Sequence, residues 1–446
     1  MWNRNVTLIS AQLLSSKKPA LIRAQFPMIC LVLTLLILCF ATRQGYPLDH
    51  DFKATGIGHV AVFPDSQSGS QKDVISFLQI KPDLALQYKS SWAAVIAPRF
   101  RLGLNDSEYN FISLDDVYGE YIAEHFEVRV GYQTHFWGAV ESFNLNDIFN
   151  QKDYRVDFFD PRENKIGEPA IRARSILGDQ VLDVYYLPYF TPANLPDKVN
   201  PYNPLAGRFN IDQDRFYTNT AERLRPQFAL RWKSTFGPAD IGLVYFNGYE
   251  RFPVLTLTPG AGKADTLYYE VQQVGGDIQM SLGSWLLKAE VQYLDTGIAG
   301  SLVGDSLLVD GTIRRRDLVP DNLTAFVGGF EYTFFRVFGN SDLGIITEYL
   351  YNSQQDFDDV GFRPFQNDLF SAIRWSRNNL GGGELLAGVI VDLKDGTQLW
   401  RLEYSERFFD RLKLIVYAEI IDAASENPLR PFEDSDNVAF QLSYVY

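Results

Sequence analysis

Beyond its first 41 residues the chain contains no cysteine, since Cys30 and Cys39 both lie within that segment. Without cysteine there is no disulfide, thiolate metal site or cysteine nucleophile. The chain also lacks any later apolar run of the roughly twenty residues that a spanning helix needs. Basic residues are in the minority, with 41 Lys and Arg against 55 Asp and Glu, and the net charge of −14 argues against nucleic acid as a partner.

The first 41 residues are expected to be a signal peptide. Residues 1–27 carry four basic residues and no acidic one, and an apolar run covers residues 28–41. This run suits a signal-peptide core but is too short to span a membrane. Small residues in the Cys39-Phe40-Ala41 segment predict cleavage after Ala41. The alternative, a lipoprotein anchored at Cys39, is less favoured because Leu38 stands where a small residue is expected.

The last ten residues have the period-two pattern of a strand with lipid on one side and a lumen on the other. One face carries Val438, Phe440, Leu442, Tyr444 and Tyr446, and the other carries Asn437, Ala439, Gln441 and Ser443. This segment resembles the C-terminal assembly signal of outer-membrane barrels, which assigns that role to Phe440, Leu442, Tyr444 and Tyr446. Gln441 stands where the signal usually has glycine. The alternative is an amphipathic strand that ends a soluble protein.

Alternating segments and the connections between them predict the architecture. Residues 222–235 and 126–136 are two clear examples of alternation, and from Val74 onward short connections alternate with long ones. Bacterial barrels have short periplasmic turns and long external loops. We therefore predict an all-β transmembrane antiparallel barrel of about 18 strands (16–18) over residues 52–446, preceded by a short periplasmic segment, residues 42–51. A barrel of this size is expected to enclose an aqueous channel.

Charged residues on the inward faces are the candidate pore lining. They are Arg223, Arg225, Arg231 and Lys233 on one predicted strand and Arg172 and Arg174 on another. A ladder of like charge attracts counter-ions and would favour anions. The alternative is that these cations pair with carboxylates on neighbouring strands or loops.

A family resemblance lies in residues 131–196. It rests on the motifs G-Y-Q from Gly131, W-G from Trp137, N-L-N-D from Asn144, N-Q-K-D-Y from Asn150, G-E-P-A-I-R from Gly167 and L-P-Y-F-T-P from Leu187. These resemble a little-characterised family of porin-like outer-membrane proteins, although Leu145 and Gln151 stand where that family usually has proline. The resemblance implies a porin-like barrel and names no solute.

The long connection 138–167 is predicted to be ordered and to fold into the lumen, because its dense Asn and Asp favour side-chain-capped turns. Four acidic residues, Asp147, Asp153, Asp157 and Asp160, would then oppose the basic wall and form a constriction. The alternative is a loop that projects outward from the surface.

The function favoured by these patterns is a bacterial outer-membrane channel for passive diffusion of small hydrophilic solutes, with a mild anion bias. Alternatives are an adhesion or structural barrel and, less favoured, a barrel hydrolase using His135. We expect no enzyme activity, cofactor or metal, since the acidic spacing near Asp153 does not match a calcium loop. Expected partners are membrane lipid, lipopolysaccharide, the barrel-assembly machinery and a small solute. The sequence leaves the oligomeric state open.

Overall fold

The computed structural model describes residues 48–64, 71–159, 164–257, 263–307, 313–354 and 363–446. The predicted signal segment, residues 1–41, and Asp160 lie outside the described residues. Within those ranges no helix is both long and apolar enough to cross a membrane.

The described chain forms twenty-five strands and four short 3₁₀ turns. The strands are β1 (Leu48–Val62), β2 (Val74–Tyr88), β3 (Trp92–Gly103), β4 (Phe111–Ile122), β5 (Phe126–Gln133), β6 (Gln151–Lys152), β7 (Lys165–Ile166), β8 (Glu168–Leu177), β9 (Gln180–Leu187), β10 (Asn210–Tyr217), β11 (Gln227–Phe236), β12 (Ala239–Tyr249), β13 (Val254–Leu257), β14 (Lys263–Tyr268), β15 (Glu270–Leu282), β16 (Trp285–Asp295), β17 (Val303–Leu307), β18 (Ile313–Asp317), β19 (Leu323–Val337), β20 (Ser341–Asn352), β21 (Asn367–Arg377), β22 (Glu384–Asp392), β23 (Gln398–Phe408), β24 (Leu412–Asp422) and β25 (Asn437–Val445). The 3₁₀ turns are Ser107–Tyr109, Glu222–Leu224, Gly297–Ala299 and Arg430–Ser435.

Eighteen of these strands form one antiparallel sheet that closes on itself. They are β1–β5, β8, β9, β11, β12, β15, β16 and β19–β25. β1 pairs with β2 on one side and with β25 on the other, where Val62 lies opposite Val438 and Thr55 opposite Val445. Closure leaves no row of unbonded N–H and C=O groups facing lipid. The predicted barrel of eighteen strands is confirmed.

The C-terminal strand shows why the wall belongs in lipid. Phe440, Leu442 and Tyr444 are 50%, 48% and 47% exposed on its outer face, whereas Ala439 is 0% exposed on the inner face. Tyr446 follows the strand and is exposed. An apolar band of this kind would be unstable in water and is stable against hydrocarbon. The role of these four residues as an assembly signal stays a prediction.

The connections alternate as predicted between short periplasmic turns and longer external loops. We number the external loops in chain order. Those used below are loop 3 (residues 134–167), loop 4 (188–226), loop 5 (250–269), loop 7 (353–366) and loop 9 (423–436). One external connection is short, because only residues 393–397 join β22 to β23.

Three predicted boundaries were wrong. β1 begins at Leu48 rather than Phe52, so part of the expected periplasmic segment is strand. The alternation predicted that β5 continues to residue 136, but the strand ends at Gln133. Two residues earlier, Gly131 has a φ of +141°, which interrupts the regular extended backbone. The strand predicted to start at Glu222 begins at Gln227, because residues Glu222–Leu224 form a 3₁₀ turn. Arg223 and Arg225 therefore lie in loop 4 rather than on the inner face of a strand.

External loops add structure that the sequence did not predict. β10, β13, β14, β17 and β18 form a five-stranded sheet in which β10 and β14 are parallel. β6 and β7 pair with each other inside loop 3.

The lumen is filled more densely than the predicted aqueous channel. A single buried apolar cluster contains Val140, Val156 and Phe158 of loop 3 together with Ile346 and Leu350 on the inner face of β20. Loops 4 and 9 add Tyr202 and Phe432 to it. Apolar inner-face residues of the wall are buried by these loops. Any path through the barrel must therefore pass beside them.

Candidate functional site

Loop 3 crosses the lumen and is held by two carboxylates of the barrel wall. The first is Glu290 on β16, which is 0% exposed. Its Oε1 accepts hydrogen bonds from the backbone N–H of Ala139 (2.6 Å) and of Val140 (3.3 Å). Its Oε2 accepts from the N–H of Asn146 (3.2 Å). One wall side chain thus satisfies three backbone donors of the loop, which have no strand partner of their own.

The second carboxylate is Glu348 on β20. It accepts from the N–H of Glu141 (2.9 Å), the N–H of Ser142 (2.8 Å) and the hydroxyl of Ser142 (2.6 Å). Around the closed wall, β20 is separated from β5 by seven strands in one direction and nine in the other. Loop 3 starts at the end of β5, so reaching Glu348 takes it across the barrel interior.

Glycine in β15 lets the loop approach the wall closely. Asn146 donates its side-chain amide to the carbonyl of Gly276 (2.9 Å). A Cβ added at Gly275 would lie 2.0 Å from Oδ1 of Asn146, which is far inside van der Waals contact. Any larger residue at Gly275 would push Asn146 away from the wall.

Asp147 makes its ion pair within loop 3. It lies 2.6 Å from Nζ of Lys165 and accepts the backbone N–H of Trp137 at 3.2 Å. Burial lowers the pKa of Lys165, while the neighbouring Asp147 acts in the opposite direction. This pair ties the start of the loop to its end.

Asp153 is fully buried between two arginines. It contacts Arg155 of the same loop at 2.6 Å and Arg101 of β3 at 2.9 Å. Burial alone would raise the pKa of Asp153, but Arg155 and Arg101 outweigh it and hold the pKa well below the ordinary carboxyl value. Asp153 is thus an ionised link between loop and wall.

Asp157 accepts the backbone N–H of Phe159 at 3.0 Å and lies 3.9 Å from Arg401 of β23. In the described part of the chain, Asp147, Asp153 and Asp157 form ion pairs with Lys165, Arg101, Arg155 and Arg401. The structure does not bring these three aspartates together with the arginines that were predicted to face them.

The predicted arginines pair instead with carboxylates of the wall. On β8, Arg172 lies 2.7 Å from Glu120 and 2.8 Å from Glu127. Arg174 contacts both oxygens of Asp183, at 2.7 and 3.0 Å. These contacts correspond to the alternative of paired lumen arginines.

The second predicted group is also largely paired. On β11, Arg231 binds both oxygens of Asp277 at 2.5 and 2.9 Å, and it reaches this residue of β15 by lying over Gly242 of β12. Lys233 follows on the same face of β11 and is exposed. In loop 4, Arg225 binds Glu270, and Arg223 lies over the ring of Tyr189 with its guanidinium carbon 5.4 Å from the ring centre.

Two cavities lie on either side of loop 3 and share part of their lining. We call the one on the external side the mouth cavity (about 190 Å³), which is bounded by loops 3, 5 and 7. We call the one toward the periplasm the inner cavity (about 390 Å³), which runs along strands β21–β24 and also touches β15 and β16. Their linings share Ser142, Asn144, Phe159, Ile390 and Leu399. We call these five residues, which lie on loop 3 and on strands β22 and β23, the neck.

A further cavity of about 500 Å³ lies beneath loop 3 near β1–β4 and shares no lining residue with the mouth cavity.

Charges along the inner cavity are balanced. Lys288 lies 3.8 Å from Glu141, and Arg401 lies 2.7 Å from Glu419.

His135, the residue of the hydrolase alternative, has a packing environment. Its ring contacts those of Phe149 (4.7 Å between centres) and Tyr185 (5.0 Å), and its Nε2 lies 3.3 Å from the side-chain oxygen of Gln133. Burial lowers the pKa of His135 well below its ordinary value, and nearby arginines act in the same direction. These contacts are typical of a neutral ring that packs where loop 3 leaves β5.

Glu290, Glu348 and Gly275 were missed as functional residues. In the sequence, Lys288, Glu290 and Gln292 alternate with apolar residues, which places Glu290 on an inner face, and an inward carboxylate suggests a polar partner inside the barrel. What the sequence did not supply was the partner, since Glu290 and Ala139 are 151 residues apart.

Solved structures with the same fold are outer-membrane proteins. OpdK from Pseudomonas aeruginosa is 10% identical, with a TM-score of 0.50 over 89% of this chain and 99% of that one. OccK9 (OpdG) from the same species is 12% identical, with a TM-score of 0.50 over 90% and 99%. A BenF-like porin from Pseudomonas fluorescens Pf-5 is 12% identical, with a TM-score of 0.50 over 90% and 100%.

No family model matches the chain, and no curated protein matches it significantly. At these identities the solved structures show the fold alone, which is a closed antiparallel β-barrel. Single-chain bacterial barrels have an even number of strands. The closed eighteen-stranded barrel with its lipid-facing exterior places the protein in a bacterial outer membrane, as predicted.

Proposed function

We propose that the protein is a channel through which small hydrophilic solutes diffuse passively. The route runs from the mouth cavity through the neck at Ser142 and Phe159 into the inner cavity. The observation that carries this proposal is that the two cavities share five lining residues although loop 3 lies between them. A lumen narrowed by an ordered loop is suited to small solutes and excludes large ones.

The mild anion bias now has a weaker basis. It rested on Arg223, Arg225 and Arg231 as unbalanced positive charge, but Arg225 and Arg231 are each paired with a carboxylate. A paired cation contributes little net field to a pore. We therefore propose that ion selectivity is weak and that the narrow neck, rather than charge, sets which solutes pass.

Planar bilayer recording of the purified protein tests this function. The account predicts discrete conductance steps and a reversal potential close to zero in a tenfold salt gradient. Folded protein that inserts but carries no current would overturn it. That outcome would favour the alternative of an adhesion or structural barrel, for which the five-stranded external sheet provides a built surface.

A further inference from the structure

Three consecutive periplasmic turns each expose a large apolar side chain. They join β19 to β20, β21 to β22 and β23 to β24, and carry Phe338 (82% exposed), Leu380 (101%) and Phe409 (91%). The other five periplasmic turns of the described chain contain no Val, Leu, Ile, Met, Phe, Tyr or Trp; they are residues 89–91, 123–125, 178–179, 237–238 and 283–284. A bilayer by itself does not favour one sector of the rim, so the apolar sector indicates a partner that approaches from one side.

Two of these side chains stand on backbone that disfavours them. The φ angle is +55° at Phe338 and +51° at Phe409. This left-handed region favours glycine or asparagine, and a bulky aromatic residue is rare there. An exposed ring gains no burial that would offset the strain. Glycine would serve both turns better, so folding of the barrel does not account for the two phenylalanines.

Hydrogen bonds join the three turns to one another. Asp342 accepts the backbone N–H of Arg336 (2.8 Å) and the side-chain amide of Asn378 (2.9 Å), which links the first turn to the second. The N–H of Arg407 donates to the carbonyl of Gly381 (2.9 Å), which links the second turn to the third. The apolar side chains are therefore held in a fixed arrangement, which lowers the entropic cost of binding. We call residues 336–342, 377–384 and 406–411 the rim platform.

An ion pair on the outer face marks the periplasmic edge of the hydrocarbon. Glu406 follows Trp400 and Leu402 on the lipid-facing side of β23, and it lies 3.2 Å from Arg377. Charges on the lipid face cost little only near the interface. Phe409 lies three residues further on, about 10 Å along the strand and roughly 8 Å along the membrane normal at the usual tilt. The headgroup layer is about 5–8 Å thick, so this ring reaches the periplasmic surface of the membrane.

The exposed charges of the rim platform are mostly basic. They are Arg336, Arg377, Arg407 and Arg411 against Glu384 and Asp410. An apolar surface bordered by positive charge is complementary to an apolar surface bordered by negative charge. The chemistry of the rim platform thus favours an acidic partner.

The spacing of the turns fits an α-helix. Neighbouring strands are about 4.8 Å apart, so successive turns lie about 10 Å apart along the rim. Two turns of an α-helix cover about 10.8 Å, which places every seventh residue of one helix face opposite a turn. We propose that the rim platform docks an amphipathic helix of a periplasmic protein, with its apolar stripe on Phe338, Leu380 and Phe409 and its flanking carboxylates near the arginines. This role does not depend on conduction through the barrel.

A synthetic peptide tests the docking surface. The probe is a fluorescently labelled three-heptad helix with leucine at the apolar positions and glutamate on both flanks, and the control peptide has lysine on the flanks. Fluorescence anisotropy is measured with the full chain in phosphatidylcholine nanodiscs, and empty nanodiscs give the baseline. We expect saturable binding of the glutamate peptide and at least about tenfold weaker binding of the lysine peptide. No saturable binding above the baseline, or equal affinity for both peptides, would overturn the proposal.

Glycine variants locate the surface without straining the fold. Phe338→Gly with Phe409→Gly removes both rings and suits the left-handed backbone, so we expect normal heat-modifiable migration and about tenfold or more weaker binding of the glutamate peptide. Lys89→Gly is the matched control, because Lys89 has a φ of +55° in a periplasmic turn without an apolar side chain. The proposal fails if the double variant binds like the wild type, or if Lys89→Gly weakens binding as much.

A spin label distinguishes a protein partner from lipid. Leu380→Cys supplies the label site, since the chain has no cysteine beyond residue 41. Power saturation by electron paramagnetic resonance in the same nanodiscs should show more access for a water-soluble nickel chelate than for oxygen, and the glutamate peptide should immobilise the label. A label at Ser284→Cys, in a turn outside the rim platform, should not respond to the peptide. If oxygen dominates at residue 380, the side chain inserts into lipid as a membrane anchor and the proposal is refuted.

Discussion

The barrel wall and loop 3 occupy the same membrane depth but are stabilised in different ways. Each wall strand is bonded to its two neighbours by a regular ladder, and an outer face of apolar side chains rests against lipid. Loop 3 has one two-residue pairing of its own and backbone hydrogen bonds to Asn194 of loop 4, and its contacts with the wall are made by side chains such as Glu290, Glu348 and Asp153. The wall is therefore robust to the loss of one contact, whereas the loop depends on a few. Altering either region should leave the other largely intact.

Placing a charge on the lipid face of the wall should have the largest effect. Leu243 lies near the middle of β12 and is 54% exposed on the outside. Leu243→Arg is expected to lower the free energy of unfolding by about 2–4 kcal/mol, because arginine at the bilayer midplane loses its hydration. Urea unfolding in lipid vesicles, followed by tryptophan fluorescence, measures this change.

Phe236→Arg, at the periplasmic end of β11, is the matched control, since the same charge near the interface costs only about 0–1 kcal/mol. Equal destabilisation by the two variants would show that the exterior is not arranged across a bilayer as described.

Removing the two carboxylates that hold loop 3 should open the channel while sparing the wall. In the double variant Glu290→Ala and Glu348→Ala, backbone donors at residues 139–142 and 146 lose their acceptors, at about 1–3 kcal/mol for each buried donor. We expect severalfold higher or strongly fluctuating conductance and an unchanged urea midpoint for the barrel. The control variant is Glu384→Ala, which removes an exposed carboxylate at the start of β22 and should behave like the wild type. A quiet current of wild-type size in the double variant would contradict the anchoring.

Asp153 should be needed to hold loop 3 against the wall, yet its titration should not make the conductance depend on pH in mild acid. Its pKa is depressed in the folded protein, so its contribution is present above the ordinary carboxyl pKa of about 3.9 and is lost only as pH falls through the lower folded value. Conductance of the wild type is therefore expected to be unaffected by Asp153 titration between about pH 8 and pH 5.

Asp153→Asn should increase current fluctuations throughout this pH range, since it leaves Arg101 and Arg155 buried without their shared anion, at a cost of about 3–5 kcal/mol. Asp240→Asn, at an exposed residue of β12, is the control. A change of wild-type conductance with an apparent pKa of about 4 that is absent from Asp153→Asn would show that Asp153 is not held ionised.

The same contrast explains what the sequence predicted. Strand number and facing were predictable because alternation and turn residues are local signals. The ion pair between Arg174 and Asp183 was also predictable, since the two residues lie opposite each other across the β8–β9 turn. The ion pair between Arg231 and Asp277 was not predictable, because Arg231 reaches across the intervening strand β12 at Gly242. The anchors of loop 3 on Glu290 and Glu348 join residues more than a hundred positions apart, and no local pattern in a single sequence specifies them.

The central claim, that loop 3 narrows the lumen, is tested most directly by deleting residues 144–160 and measuring single-channel conductance in a planar bilayer. Heat-modifiable migration on electrophoresis confirms beforehand that the barrel is folded. The account predicts a severalfold rise in conductance, because the deleted segment fills the lumen and carries Asn144 and Phe159 of the neck. It also predicts a changed reversal potential, because Arg101 and Arg401 lose their partners Asp153 and Asp157. A folded deletion variant whose conductance and reversal potential both equal those of the wild type would contradict it.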